Sequence, residues 1–361
     1  MRAAVQRNTG DELLEIVDDI ESAPLGDTDV RVEIKATGVC HSDVHAMKGD
    51  LPQGAPFVPG HEGAGIVTEV GAGVKDLAVG DHVIIAWSPP CCRCVACVDQ
   101  KQPHLCVMIQ FAVAGLPRFK EGETDLYGMA GFGTFAESIV VPQEGAIKID
   151  DDVPFDIASL IGCGVTTGVG AAINTAKVTP GSTCVVIGCG GVGISVIQGC
   201  RIAGASIIVA VDLNDEKLET AKRFGATHGV KPDDLAGLQA EVTGEAGGFD
   251  FAFEAIGFPQ TVRAAYDAAR RGGVVTVVGV GGFDKLVEFN MFELFFNEKT
   301  IHGSYYGSAD VRSDFNRLLR LWKTGRLDLD GMISQRIKID DVNDAIAKML
   351  RGETIRSVIE F

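Results

Sequence analysis

Residues 185–193 read V-V-I-G-C-G-G-V-G, and this stretch decides the fold. An apolar run at 184–187 enters Gly188-x-Gly190-x-x-Gly193, and an apolar periodic segment at 194–202 leaves it. That order predicts a strand, a tight turn and a helix. Glycines let the backbone approach a pyrophosphate, and the helix N-terminus turns free N–H groups and positive potential toward it. Glycine makes up 45 of 361 residues, so the pattern alone is weak. Asp212 strengthens it: it ends the apolar run 207–211, about 20 residues beyond the glycines, where a ribose-binding carboxylate belongs.

Working outward, candidate strands at 184–187, 207–211, 249–254, 273–278 and 300–303 alternate with candidate helices at 191–203, 215–224, 259–269 and 310–324. Strand–helix alternation at this spacing predicts an α/β fold with a parallel, doubly wound sheet. Before about residue 160 the texture differs. Segment 30–34 (V-R-V-E-I) alternates apolar and charged residues, 63–70 and 81–85 read similarly, and glycine turns divide them. A β-rich domain is predicted there. The tail from Ile337 reads as strand, helix (342–350) and final strand (357–361), and is expected to rejoin the first domain.

At 46% hydrophobic and 22% charged residues, the chain has enough apolar material for a large core, and its length suits two domains. The net charge of −17 repels phosphate backbones and anionic membrane surfaces, so neither nucleic acid nor membrane is an expected partner. Residues 1–10 show no signal-peptide pattern, and no apolar run of the ~18 residues that cross a bilayer is expected, so a cytoplasmic protein is predicted.

Ten cysteines are many for such a protein. Cys91, Cys94, Cys97 and Cys106 fall within sixteen residues, a metal-type spacing rather than a disulfide framework. Four thiolates close a tetrahedral shell around zinc and leave no open position, which makes the site structural. Cys92 sits beside Cys91 and leaves open which of the two coordinates; the even two-residue gaps favour Cys91. Cys40, His61 and Cys163 are scattered, and spacing alone does not join them. A lone cysteine is more often a small buried apolar residue than a ligand.

The motifs taken together resemble the zinc-dependent alcohol dehydrogenases of the medium-chain dehydrogenase/reductase superfamily. G-V-C-H-S-D (38–43), G-H-E-G-A-G-I-V (60–67), the cysteine cluster, C-G-V-T-T-G-V-G (163–170), G-C-G-G-V-G (188–193) and G-E-T-I-R-S (352–357) fall in the family's order, nearly end to end. The resemblance implies a GroES-like catalytic domain over 1–163 and 305–361, and a Rossmann coenzyme domain over 164–304. It implies two zinc ions per chain, the second held by Cys40, His61 and Cys163. That Cys₂His set is the one known from alcohol dehydrogenases, so the assignment is a match and not a derivation. Glu62 would be a nearby carboxylate that helps ligand exchange, and Asp43 would orient the zinc-binding imidazole. Ser42 would take the substrate hydroxyl proton and pass it, through the nicotinamide ribose, to His45 near solvent. Gly188, Gly190, Gly191, Gly193, Asp212, Lys217 and Val278 would hold NAD. Thr167 and Val192 would press on the nicotinamide, and His41 and Arg356 would contact the pyrophosphate. Asp212 favours NAD over NADP, because a carboxylate there repels a 2′-phosphate.

The implied reaction is oxidation of a primary aliphatic or aromatic alcohol to the aldehyde with hydride transfer to NAD⁺, and its reverse, in the cleft between the domains. Leu51, Trp87, Phe135, Val280 and Tyr305 would line the substrate pocket. Two alternatives stand beside it. One is a glutathione-dependent formaldehyde dehydrogenase, although Gln53 in G-D-L-P-Q-G-A-P (49–56) stands about where that subgroup carries a carboxylate. The other is a nicotinoprotein that keeps NAD permanently bound. Eight residues separate Cys97 from Cys106, a longer gap than the family usually has. A homo-oligomer is expected, a dimer before a tetramer, through the coenzyme domains.

Overall fold

The structure, a computed structural model, describes residues 1–361 and divides into two compact units. One comprises Met1–Cys163, Asp310–Gly325 and Leu329–Phe361; the other comprises Gly164–Ala309 and Arg326–Asp328.

The first unit is built on a seven-stranded sheet. Its main path runs Ala146–Lys148, His82–Ile85, Glu62–Val70, Asp29–Val39, Arg356–Glu360 and Ile333–Ile337, and Ser138–Pro142 also pairs with Asp29–Val39. The central strand begins half-buried, with Val30, Val32 and Ile34 pointing into the core, and is buried on both faces by Thr37. It thus carries the chain from the surface into the interior just before Cys40. The tail joins this sheet, Arg356–Glu360 running antiparallel to Asp29–Val39. The core gathers Val30, Val32, Ile34, Phe57, Val83, Phe132 and Phe135 beneath the sheet, and Val342, Ala345, Ile346 and Met349 of the Val342–Leu350 helix close it. That helix repeats apolar residues three and four apart, so one of its faces is apolar.

The second unit is a six-stranded parallel sheet in the order His228–Val230, Ile207–Val211, Thr183–Ile187, Phe249–Glu254, Ala269–Val277 and Thr300–Gly303. Thr183–Ile187 and Ile207–Val211 are buried along all but their first residue, as strands covered on both faces must be. The edge strand His228–Val230 was not predicted: it is three half-buried residues with a central glycine and carries no apolar run. The strand predicted at 273–278 spans Ala269–Val277 instead. An irregularity in its pairing with the neighbouring strand, and a positive φ at Gly272, break the pattern over its first half.

Two expectations are corrected. The return to the first unit comes at Asp310, not at 305. Gly307 packs backbone-to-backbone on the Thr166–Gly170 helix, where a Cβ on Gly307 would lie 2.3 Å from the Thr166 carbonyl oxygen, and this holds 305–309 to the second unit. Likewise Gln198 bonds both the N–H and the carbonyl of Asp328, and Arg201 bonds the Arg326 carbonyl, which draws Arg326–Asp328 there. Phe155–Thr175 is an apolar run of 21 helical residues, mean hydropathy 1.5, long enough by composition to cross a bilayer; 83% of its most apolar window is buried inside the protein, as in a core helix.

Candidate active site and metal centres

Strand register assembles the first cluster. Gly38 of Asp29–Val39 stands opposite Glu62 of Glu62–Val70, so the residues just past the paired ends, Cys40 and His61, emerge side by side. Gly38 has to be glycine, since a Cβ there would lie 2.2 Å from the Glu62 carboxylate. Gly60, at φ +90°, turns the chain into His61 where a Cβ would strike Phe135. Cys163 arrives from the helical run, inside a π-helical stretch, Ile161–Val165. Such wide turns recur at functional sites. Gly162 lets that turn approach, a Cβ there being 3.3 Å from the Glu62 Cα. One ligand atom each from Cys40, His61, Glu62 and Cys163 then lies within 4.8 Å of the others, and all four residues are buried.

Asp43 organises this cluster from the first turn of the His41–Lys48 helix. Its Oδ2 accepts the Cys40 N–H at 2.8 Å, and its Oδ1 accepts the Gly60 N–H at 3.2 Å and His61 Nδ1–H at 3.0 Å. Nδ1 therefore carries a hydrogen directed at Asp43, and Nε2 is the ring nitrogen left to bind a metal ion. That Nε2 is buried and makes no hydrogen bond. Burial disfavours a charged His61, but Asp43 and Cys40 outweigh it and hold the ring's pKa well above its ordinary value. Contact with Cys40, with burial, pushes the Cys163 thiol up, while the same contact pulls Cys40 down. Two close thiols cannot both ionise without a cation between them. Burial raises Glu62 to about 7 against the pull of Arg356, whose Nη2 donates to Glu62 Oε1 at 3.0 Å. An orphaned imidazole nitrogen facing two thiols fits zinc, with Cys40, His61 and Cys163 as its holders.

Arg356 is thus a buried partner of Glu62, where the sequence pointed only to a pyrophosphate contact. Its place follows from sheet order: Ser357 pairs with Val39, one residue before Cys40. Ser42 lies 3.8 Å from Cys40 Sγ. His45 is partly exposed, and its Nδ1 meets Asp50 Oδ2 at 2.9 Å.

The second cluster sits in the same unit. Ligand sulfurs of Cys91, Cys94, Cys97 and Cys106 all lie within 4.8 Å of one another. Burial, then contact with Cys94 and Cys106, pushes Cys97 up to about 12, while the Cys97 N–H helps hold Cys94 at about 7. A dication relieves that mutual repulsion, so this donor set too fits zinc. Cys92 is excluded: it takes a positive φ of 57°, is exposed, and its Sγ lies 3.0 Å from Arg312 Nη1.

In the second unit the three motif glycines do different work. Gly188 adopts φ +97°, closed to most side chains. A Cβ on Gly193 would lie 1.8 Å from the Gly188 carbonyl oxygen, so helix and turn touch there. A Cβ on Gly190 would meet nothing within 4 Å, which leaves that face open to a ligand. Gly190 caps the Gly191–Ala203 helix, whose first turn includes Val192. Asp212 ends its strand and is tied to the turn, Oδ2 accepting the Cys189 N–H at 2.9 Å and Oδ1 the Asn214 N–H at 3.1 Å. Lys217 lies in the first turn of Asp215–Arg223, Thr167 is half-buried, and Val278 is buried.

A family model for the alcohol dehydrogenase GroES-like domain matches residues 26–151, and one for zinc-binding dehydrogenases matches 191–324. S-(hydroxymethyl)glutathione dehydrogenase of Paracoccus denitrificans is 37% identical, with 99% of each chain covered. The chain belongs to the zinc-dependent alcohol dehydrogenases of the medium-chain dehydrogenase/reductase superfamily. Among solved members, benzyl alcohol dehydrogenase from Acinetobacter calcoaceticus is 31% identical with a TM-score of 0.90, covering 100% of this chain and 99% of its own. A zinc-binding dehydrogenase from Sinorhizobium meliloti 1021, solved with NADP, is 26% identical with a TM-score of 0.79 at the same coverage. Zinc and a nicotinamide cofactor go with membership of this alcohol dehydrogenase family.

The family's pocket residues divide between the units. Trp87 stands edge-on to His61, ring centroids 6.4 Å apart at 88°, and Leu51 is half-buried. Phe135 needs correction: it is 0% exposed, packed in the sealed core of the first unit, and lines no open surface. Val280 and Tyr305 belong to the second unit and are exposed. His41 is exposed at the first position of its helix.

Proposed function

We propose that this alcohol dehydrogenase oxidises primary aliphatic or aromatic alcohols to aldehydes with NAD⁺, and catalyses the reverse reduction. The buried Cys40–His61–Cys163 cluster, with His61 Nε2 presented by Asp43, carries the reading. Zinc bound there would polarise a substrate hydroxyl and lower its pKa. Asp43 keeps the imidazole in one tautomer and one orientation. Ser42 Oγ, beside Cys40, would accept the hydroxyl proton while passing its own on toward His45, which Asp50 steadies at the surface and which would release a proton to solvent. Trp87 gives the cluster a flat apolar neighbour, which favours apolar alcohols over polyols. Asp212 supports NAD over NADP, since a carboxylate anchored by two backbone N–H groups repels a 2′-phosphate. A second zinc at the four-cysteine cluster completes a count of two per chain.

One observation favours a second substrate. The Paracoccus relative is named for S-(hydroxymethyl)glutathione, and such an adduct is itself a primary alcohol. By the family resemblance Gln53 stands about where that subgroup carries a carboxylate, and its Oε1 accepts the Ala130 N–H at 3.3 Å. Rates of coenzyme reduction with benzyl alcohol, short aliphatic alcohols, and formaldehyde with and without glutathione, each with NAD⁺ and NADP⁺, test both readings. Benzyl alcohol with NAD⁺ is expected to lead. Turnover only with formaldehyde plus glutathione would replace the first substrate class by the second.

A homodimer goes with this reading. The Thr300–Gly303 strand ends the parallel sheet with its outer edge open, and Phe292, Phe295 and Phe296, just before it in the chain, are exposed. Sedimentation is expected to give twice the chain mass.

A further inference from the structure

In a doubly wound sheet, ligands bind beyond the carboxyl ends of the strands, where strand order reverses. In this sheet that point lies between Thr183–Ile187 and Phe249–Glu254. Glu254 ends the second of these strands, directly beside Ile187, the residue before Gly188. It is fully buried on an otherwise apolar strand end. One oxygen, Oε1, takes three donors: the Ile256 N–H at 2.9 Å, the Gly257 N–H at 2.7 Å and the Thr261 hydroxyl at 2.7 Å. The other, Oε2, is buried with no hydrogen bond. An acid kept inside with half its acceptor capacity unused is costly for a simple turn, which an asparagine or serine cap could tie at the surface.

What Glu254 holds explains the cost. The 255–258 loop packs straight onto the glycine turn, a Cβ on Gly188 lying 2.5 Å from Ile256 Cγ1 and 3.2 Å from the Ala255 carbonyl oxygen. On its far side, Gly257 at φ +99° abuts Val280, and Gly279 abuts Gly257. The Glu254 carbonyl oxygen accepts the Val278 and Gly279 N–H groups at 2.8 and 3.0 Å. Thr261 stands in the first turn of the helix Pro259–Ala268, so the carboxylate also faces the positive helix end. The Glu254 carboxylate therefore fixes the 255–258 loop, and that loop packs against the glycine turn on one side and the 279–280 segment on the other.

We propose that Glu254 is a positioning residue for the dinucleotide: its carboxylate sets the height and rigidity of the wall against which the Gly188 turn receives the coenzyme. The inference rests on dinucleotide binding at that turn. The test is the dissociation constant of NADH, by protein fluorescence, with the zinc content, thermal midpoint, and kcat and KM for coenzyme, for the native enzyme, Glu254→Ala, Glu254→Gln and Thr261→Val. Glu254→Ala is expected to raise Kd and coenzyme KM tenfold or more, with zinc content unchanged and kcat at saturating coenzyme within twofold. Glu254→Gln keeps an acceptor at Oε1 and is expected to recover Kd to within about threefold of native. An unchanged Kd in Glu254→Ala, or a Gln variant as weak as the Ala variant, overturns the proposal. If Glu254→Ala does not fold, Thr261→Val decides: a threefold rise is expected, and a native Kd overturns the proposal. A native enzyme that binds no dinucleotide would instead overturn the coenzyme reading beneath it.

Discussion

Asp43 accepts three hydrogen bonds in a place closed to solvent, and they come from the backbone of one metal-cluster residue, the backbone before another, and the ring of His61. Partners of this kind fix a ligand's tautomer and direction, and their loss costs about 10- to 100-fold in metal affinity. Asp43→Asn is expected to lose zinc to a competing chelator at correspondingly lower chelator concentration; unchanged retention would contradict the role. The sequence placed Asp43 beside the zinc-binding histidine only by family likeness. Arg356 has a protein partner that likeness did not name. Likeness pointed to a pyrophosphate contact, and the pairing of the last strand with Asp29–Val39, invisible to local pattern, puts the guanidinium on Glu62. Cys92 shows the opposite case: spacing alone favoured Cys91 over it, and the positive φ and outward thiol of Cys92 agree.

Among the elements, those with strong periodicity were legible. The Ile207–Val211 strand and the Gly191–Ala203 helix end where apolar pattern and glycine ended them. The π-helical stretch Ile161–Val165 was not, because an inserted residue in a buried helix leaves no mark on hydrophobic period; yet it delivers Cys163. The glycine turn makes a paired prediction. Gly193→Ala forces a Cβ into the Gly188 carbonyl and should cost about 1–3 kcal/mol of stability. Gly190→Ala meets no protein atom, so it should keep the native thermal midpoint and lose coenzyme affinity. Equal stability in both variants, or native affinity in Gly190→Ala, would refute this division. In the cysteine lobe, Cys97→Ser should release one zinc per chain and lower the midpoint, whereas Cys92→Ser should do neither; zinc analysis and calorimetry check both. Between strands, Asp250 bonds Thr183 and Arg270. Burial raises its carboxyl, but Thr183 and Arg270 outweigh that and hold it below the ordinary value. A depressed folded pKa gives stability that is whole above the unfolded value of about 3.9 and fades as pH falls through the folded one. Asp250→Asn should therefore lower the midpoint near neutral pH and shrink its drop on acidification; an unshrunken drop would contradict this.

For the whole molecule, two clusters of metal-type donors and one dinucleotide turn are distributed over two units whose chain segments interleave. The unit holding both clusters is closed by the C-terminal tail, so Arg356 reaches a site whose other members come before residue 164. Doubly wound topology was legible from strand–helix alternation. The seven-stranded sheet was not, since its short strands and long-range pairings leave only fragments of alternation in the sequence. The central claim is that Cys40, His61 and Cys163 hold the zinc that acts on the alcohol. Zinc per chain and NAD⁺-dependent alcohol oxidation, measured together on the native enzyme and Cys40→Ala, test it most directly. The native enzyme should hold two zinc ions and turn over; Cys40→Ala should hold one, bind NADH, and be inactive. Two zinc ions or native turnover in Cys40→Ala would contradict the account.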